Sequence, residues 1–315
     1  MKKIFVSVLA LFAAGALQAQ DLTAIYNEAA TAFGAKQYAA AAAGFEKVID
    51  QGTDVEGAES TVNAAKQNLP TCYYQLGGAA FMKKEYDNAL ESFTKSLEYA
   101  QLYGNAPAEA KAKTWIANVY SNKGGDAFNN NDFATAAEVF AKGYEFDPRN
   151  TTMALNLAMS YCELGEFEKG MEVYDNVIAL SAKNPKKYAD ALATANEKVN
   201  YYTMLKVADL QKAGDNDGII AMADNMLAQN ADNAVAHKVR LDAYNAKKDY
   251  AKVIELGEAA AAAQTDEEAK STVYYTLGLA YNAKEMKPQA IEALKKVTAG
   301  PAVDSAKAAL AELTK

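Results

Sequence analysis

The sequence predicts an all-α protein, an array of about seven stacked helical hairpins closed by a C-terminal helix. Three observations predict it. An aromatic, two residues, a small Ala or Gly, three residues and a second aromatic recur as Tyr86, Ala89, Phe93, as Phe133, Ala136, Phe140 and as Phe167, Gly170, Tyr174, with a looser copy at Tyr38, Ala41, Phe45. Ahead of three or four of these stands a second phrase, a hydrophobic residue followed by Leu, a small residue, and Ala or Tyr three further on. The third observation is composition. Half of the 315 residues are hydrophobic, Ala is abundant, and Pro (6) and Gly (18) are scarce. Ala loses no side-chain entropy on ordering, so this balance favours helix. Self-similarity of this kind marks a unit that buries its apolar face only by stacking on its neighbours.

The first element is a leader. Lys2 and Lys3 precede an apolar stretch at residues 4–17, and Ala19 in Gln18-Ala19-Gln20 is the small residue before a cut. Residues 1–19 read as a secretory signal peptide, with Gln20 opening the mature chain. The apolar run is shorter than the ~20 residues a membrane span needs, so no membrane insertion is expected once the leader is removed. Loss of Lys2 and Lys3 leaves 30 basic against 40 acidic residues. Nucleic acid is a poor partner for such a chain, because phosphate binding needs clustered Lys and Arg.

Each repeat then reads as two antiparallel helices. Tyr73, Leu76, Gly77 and Ala80 keep the i, i+3, i+4, i+7 spacing of one helical face. Lys83, Lys84 and Glu85 form a polar turn, and Ala89, Leu90, Phe93 and Leu97 stripe the second helix. Gly77 and Ala89 allow close approach of the two helices, and Tyr86 and Phe93 fill the space beyond. The turn positions Tyr38, Tyr86, Phe133, Phe167, Asn216 and Tyr250 are unevenly spaced. The steps from Phe133 to Phe167 and from Asn216 to Tyr250 are short and equal, and the other three are longer. The long steps exceed the short ones by close to four helical turns, which returns a helix to the same face. This predicts three first helices extended at their N-terminal ends, within residues 54–81, 107–129 and 185–212; a short extra helix or loop in each gap is the alternative. Pro107 and Pro185 suit a first helical turn, and Pro70 is expected to kink or restart the first long helix. Gly300-Pro301 ends the array over residues 20–300, and residues 301–315 form an amphipathic cap.

These hairpins resemble the tetratricopeptide repeat, a helix-turn-helix of about 34 residues with a W-x2-L-G-x2-Y, A-x3-F, P pattern. Tyr274, Leu277, Gly278, Tyr281, Ala290 and Leu294 carry the resemblance, as do Tyr73, Leu76, Gly77, Ala80, Ala89 and Phe93. A third copy holds Leu157, Ala158, Tyr161, Gly165, Phe167, Gly170 and Tyr174; a weaker one runs from His237 to Ala260. Asp147-Pro148 matches the closing proline. The copies around Phe33 and around Leu210 and Ile219 are degenerate. The resemblance implies a right-handed α-solenoid whose first helices face a concave groove that binds protein segments. It implies a non-enzymatic scaffold for protein–protein interaction, and the leader places it in the periplasm of a bacterial cell envelope.

Carried over position by position, the groove residues are Tyr26, Asn27 and Phe33, then Tyr74, Gln75, Phe81 and Met82. Ser121, Asn122 and Phe128 follow, then Leu155, Asn156 and Met159, and last Tyr275, Thr276 and Leu279. Rings with amides between them suit an extended peptide, the rings burying side chains and the amides bonding the backbone. Phe33, Phe81 and Phe128 recur at one place in their repeats, which also fits packing. Asn27, Asn122 and Asn156 occupy one place of the Lys, Asn and Arg clamp by which family members hold a C-terminal carboxylate. Tyr26, Ser121 and Leu155 stand where its cations would be, so an apolar or aromatic segment fits better. A carbohydrate or small ligand held on the groove aromatics is the second reading, although the single Trp, Trp115, is expected near a helix start and buried.

No chemistry of bond-making is legible. One His (His237) leaves no Ser-His-Asp triad and no His-rich metal site, and no cofactor motif occurs. Asp215-Asn216-Asp217-Gly218 lacks the spacing of a calcium loop and reads as an interhelical turn. Cys72 and Cys162 fall in repeats that are not adjacent and are expected as packed, reduced thiols. Neither the identity of the partner nor the oligomeric state is encoded in a motif.

Overall fold

A computed structural model describes residues 2–314, with side chains from residue 18 onward. The expected leader at residues 1–19 therefore lies, up to residue 17, outside the described side chains. All regular structure among the described residues is helical, and the fold is an α-solenoid of hairpins. The chain divides into two compact units, Met1–Asn156 and Leu157–Lys315.

The first unit pairs α1 (Lys2–Gly34) with α2 (Tyr38–Gly52), α3 (Glu59–Met82) with α4 (Tyr86–Leu102) and α5 (Ala106–Asn129) with α6 (Phe133–Phe146). The division falls within α7 (Thr151–Glu163), whose partner is α8 (Phe167–Lys183). The second unit continues with α9 (Ala189–Lys212) and α10 (Asn216–Gln229), α11 (Ala234–Ala246) and α12 (Tyr250–Ala263), α13 (Glu267–Ala283) and α14 (Lys287–Lys295). Then α15 (Ala302–Leu313) packs through Ala306 and Leu310 on Leu294 and Val297.

Every hairpin closes through the same three-residue turn. Its middle residue has φ near +60° to +80°: Lys36, Lys84, Asn131, Gly165, Gly214, Lys248 and Glu285. The next residue returns its N–H to the carbonyl five positions back, Gln37 to Ala32 at 2.8 Å, Glu85 to Ala80 at 3.0 Å and Asp249 to Tyr244 at 2.9 Å among them. This satisfies an orphan carbonyl of the first helix and lets the second begin at once. Asp132, Asp215 and Asp249 also cap the second helix, accepting from the N–H groups of Thr135, Gly218 and Lys252. The Asp215-Asn216-Asp217-Gly218 segment is thus the interhelical turn and helix start that its sequence implies.

The second aromatic of each phrase is the hairpin's plug. Phe45, Phe93, Phe140 and Tyr174 are buried to 1 % exposure or less, each contributing about 2–3 kcal/mol of apolar burial. They reach that depth because a small residue stands opposite. A Cβ on Gly77 would lie 2.8 Å from the Phe93 ring, and one on Gly124 would lie 2.6 Å from Phe140.

The three long first helices, α3, α5 and α9, each run 24 residues, against 13 residues in α7 and α11. The difference is about three helical turns, not the four that the spacing implies. The remainder sits in slightly longer second helices and connections. Pro70 neither ends nor restarts α3 but lies buried inside it, its carbonyl accepting from Ser96 Oγ at 2.8 Å. Pro107 occupies the first turn of α5 behind the Asn105 cap. Pro185 does not do the same for α9, which starts at Ala189; Pro185 lies in the connecting turn.

Five of the seven left-handed turn residues are not glycine, and an L residue in that region costs about 1 kcal/mol that Gly does not. Lys248→Gly, at an exposed position, is expected to raise the thermal midpoint by about 2 °C. Differential scanning calorimetry of wild type and variant checks it, and an unchanged or lower midpoint contradicts it.

Candidate functional site

Counting back from the first residue of each second helix gives every repeat a common frame. Twelve and eleven positions before it stand Tyr26 and Asn27, Tyr74 and Gln75, and Ser121 and Asn122 in the first unit. The structure separates these into packing residues and surface residues.

Tyr26 is a packing residue. Its ring lies 5.4 Å from Phe45 and its hydroxyl accepts from Asn68 Nδ2 at 2.9 Å. Phe33, Phe81 and Phe128 each meet the aromatic that opens the second helix of their own hairpin. The pairs are Phe33–Tyr38 at 5.4 Å, Phe81–Tyr86 at 6.0 Å and Phe128–Phe133 at 5.1 Å. Aromatic edge contacts of this kind straddle the turn and brace it. These three half-buried rings thus pack on the turn of their own hairpin. The structure also corrects the placement of Trp115: it sits well inside α5, half-buried, at the centre of a cluster with Tyr74, Phe81 and Phe93.

Asn27, Gln75 and Asn122 keep their amides at or near the surface. Asn27 lines a shallow depression with Thr31 and Gln37. Tyr74 and Gln75 are brought together with Thr71, Pro107, Ala108 and Lys111 around a cavity of about 150 Å³ between α3 and the start of α5. Asn122 donates back to the carbonyl of Asn118 at 2.8 Å. Asn118 in turn lines a more open cleft of about 520 Å³ with Thr114, Phe146, Asp147 and Asn150.

The paired glycines explain why this face is open. In Gly77-Gly78 and Gly124-Gly125 the first member packs on a ring and the second meets nothing within 4 Å of where its Cβ would be. An unpacked glycine in a helix costs about 1 kcal/mol relative to Ala. Packing within the unit therefore explains Gly77 and Gly124 but leaves Gly78 and Gly125 to the surface. There they bare a strip of backbone beside Gln75 and Asn122.

In the remaining repeats the predicted residues do not form one set. Asn156 and Met159 are half-buried on α7, and Thr276 is buried. Tyr275 packs against the cluster that α15 covers. A residue set that sequence reading passed over lies on α9. Met204 and Leu205 stand in the same register as Tyr74 and Gln75, and together with Tyr201 they are 47–52 % exposed. The signal was present: α9 carries a second apolar stripe beyond the buried one of Ala195, Val199, Tyr202 and Val207.

The thiols offer no nucleophile. Both are free, Cys72 buried and Cys162 half-buried, and burial pushes each up to about 12, so the thiolate is scarce at neutral pH. Among the described residues no group of three or more His, Cys, Asp or Glu is placed to hold a metal ion. Among them, too, no helix is long and apolar enough to cross a membrane.

The sequence profile of the tetratricopeptide repeat matches residues 70–101. That span begins at Pro70 and runs through α4, so it takes in the C-terminal half of α3 and leaves residues 59–69 outside. Residues 70–101 thus match a tetratricopeptide repeat, and the turn that closes this hairpin closes the other six among the described residues as well. Solved structures similar to it include the TPR domain of P58(IPK), 13% identical over 93% of this chain and 97% of that one, at a TM-score of 0.32. A tetratricopeptide repeat protein from Parabacteroides merdae is 13% identical over 94% and 100% at 0.30. The TPR2AB domain of yeast Sti1, in a complex with pHSP90, is 14% identical over 94% and 99% at 0.33. No curated protein matches the sequence.

The glycine pairs separate packing from surface roles. Gly77→Ala is expected to destabilise the fold by about 1–3 kcal/mol through overpacking against Phe93. Gly78→Ala is expected to stabilise it by about 0.5–1 kcal/mol through helix propensity. Urea denaturation of both variants reads the two signs, and a shared sign would refute the division of labour.

Proposed function

We propose that this chain is a non-catalytic scaffold that holds an extended segment of a partner protein on the first-helix face of its N-terminal unit. The observation that carries the reading is Gly78 and Gly125, two helical glycines without a packing role, beside the amides of Gln75 and Asn122. A bare backbone strip lets another main chain approach closely, and flanking amides offer it both donors and acceptors. The cavity at Tyr74 and Gln75, at about 150 Å³, is below the roughly 300–1,000 Å³ of small-molecule sites and suits a single side chain of a peptide.

The carbohydrate reading has one observation in its favour, the open cleft where Phe146 stands beside Asn118, Asp147 and Asn150. The test is photo-crosslinking in the producing cell, with the reactive residue replacing Gln75 and, as control, Lys142 on the second-helix side. A discrete adduct from position 75 alone is expected. Absence of any adduct, with glycan binding by the purified protein, would replace this reading with the second.

We further propose that the scaffold works in a bacterial cell envelope, exported by the leader at residues 1–19. Support comes from Lys2, Lys3, the apolar run after them and Ala19. Intact-mass measurement of the protein from its native envelope fraction is expected to give a chain beginning at Gln20; a chain retaining Met1 would rule out cleavage there.

A further inference from the structure

A second constellation lies in the first unit, away from the first-helix face and independent of the reading above. Three tyrosines form a column: Tyr73 stacks on Tyr99 at 5.5 Å, and Tyr99 on Tyr103 at 5.9 Å with 14° between the rings. The hydroxyls of Tyr73 and Tyr99 both donate to Glu46 Oε1, at 2.7 and 2.9 Å. Two phenols thus hold the Glu46 carboxylate in place. Asp50 stands one turn further along α2, and a cleft of about 300 Å³ opens between Glu46, Ile49, Asp50, Leu69, Tyr99 and Tyr103.

The column's ends are occupied. Lys95 lies over the Tyr73 ring at 5.6 Å and Lys66 over Tyr103 at 5.7 Å. Lys95 makes its ion pair elsewhere, with Glu91 at 3.0 Å. Among the described residues no Lys or Arg pairs with Glu46 or Asp50. Tyr99 is sandwiched between two rings, and Tyr103 between a ring and an ammonium.

This arrangement selects among ligand classes. A sugar stacks on a ring face, and both rings in the cleft show only edges and hydroxyls. An anion meets two carboxylates. A metal ion lacks a third hard ligand, since no cluster of three acidic, His or Cys groups exists among the described residues. An organic cation finds what it needs: two carboxylates one turn apart, phenol oxygens, and no ion pair from the chain to either carboxylate, Lys66 and Lys95 being held over the outer faces of the column. We propose that the cleft between α2, α3 and α4 binds the guanidinium or ammonium group of a basic side chain presented by a partner protein. A planar guanidinium, with five donors, can bridge Glu46 and Asp50.

The experiment is an NMR titration of the full mature chain at about 0.15 M salt, following tyrosine ring signals. The probes are Nα-acetyl-arginine methylamide, its lysine counterpart, the neutral isostere Nα-acetyl-citrulline methylamide, and free putrescine. Saturable shifts of Tyr99 and Tyr103 with arginine or lysine but not citrulline are expected, weakened about tenfold by Asp50→Asn. Asp50 is exposed, so this variant keeps the fold where Glu46→Gln, which frees two phenols, can lose it. Equal shifts with citrulline, or no saturation with any cation, would overturn the site. Tighter binding of putrescine than of either side-chain probe would overturn the protein partner and assign the cleft to free amines.

Discussion

Everything in this protein hangs on a left-handed residue in a three-residue turn. With φ held near +60° at Lys36, Lys84, Asn131, Lys248 and Glu285, and on glycine at 165 and 214, the chain reverses between antiparallel helices while pairing a carbonyl at the end of the first helix. The N–H that follows reaches back five positions in every hairpin, which is stronger determination than any single side chain supplies. Once the reversal is set, so is the register of the second helix on the first. The second aromatic then arrives opposite the small residue nine positions before the helix start in Gly77 and Gly124. Turn, interlock and core are one constraint seen at three scales, because a shifted register would drive the Phe93 or Phe140 ring against side chains of ordinary size.

The same geometry explains the division between packing and presentation. A first helix must give one stripe to its own second helix and another to the next hairpin, and what is left faces out. In α3 and α5 that remainder is amide, hydroxyl and bare backbone, with Met82 exposed at the end of α3; in α9 it is Tyr201, Met204 and Leu205. The rings Phe33, Phe81 and Phe128 also brace the turn, since an aromatic five positions before a second helix lies within contact of the aromatic that opens it.

Periodicity made the hairpins legible, because buried stripes and interlocking small residues must repeat wherever the packing repeats. Helix lengthening was legible for the same reason, although its extent was not: spacing alone cannot divide extra residues among a first helix, a second helix and a connection. Pro70 shows another limit. A proline in a helix removes one donor, but whether the helix survives depends on the contacts around it, here a buried position bonded by Ser96. The surface was least legible. Distinguishing Gly78 from Gly77 requires knowing what stands opposite, and the hydrogen bond from Tyr99 to Glu46 joins residues 53 positions apart that no motif links.

The lengthened helices α3, α5 and α9 carry a consequence for how such a chain changes length over evolutionary time. About eleven residues turn an α-helix to within about 20° of three full revolutions, so an insertion of that size leaves both stripes aimed as before. An insertion of two would swing every later side chain of the helix by about 200° and put the stripe in water. Length in this array is therefore quantised: a gain or loss at the head of a first helix survives in steps of whole revolutions. Residues 59–69, ahead of Pro70, are the span of one such step.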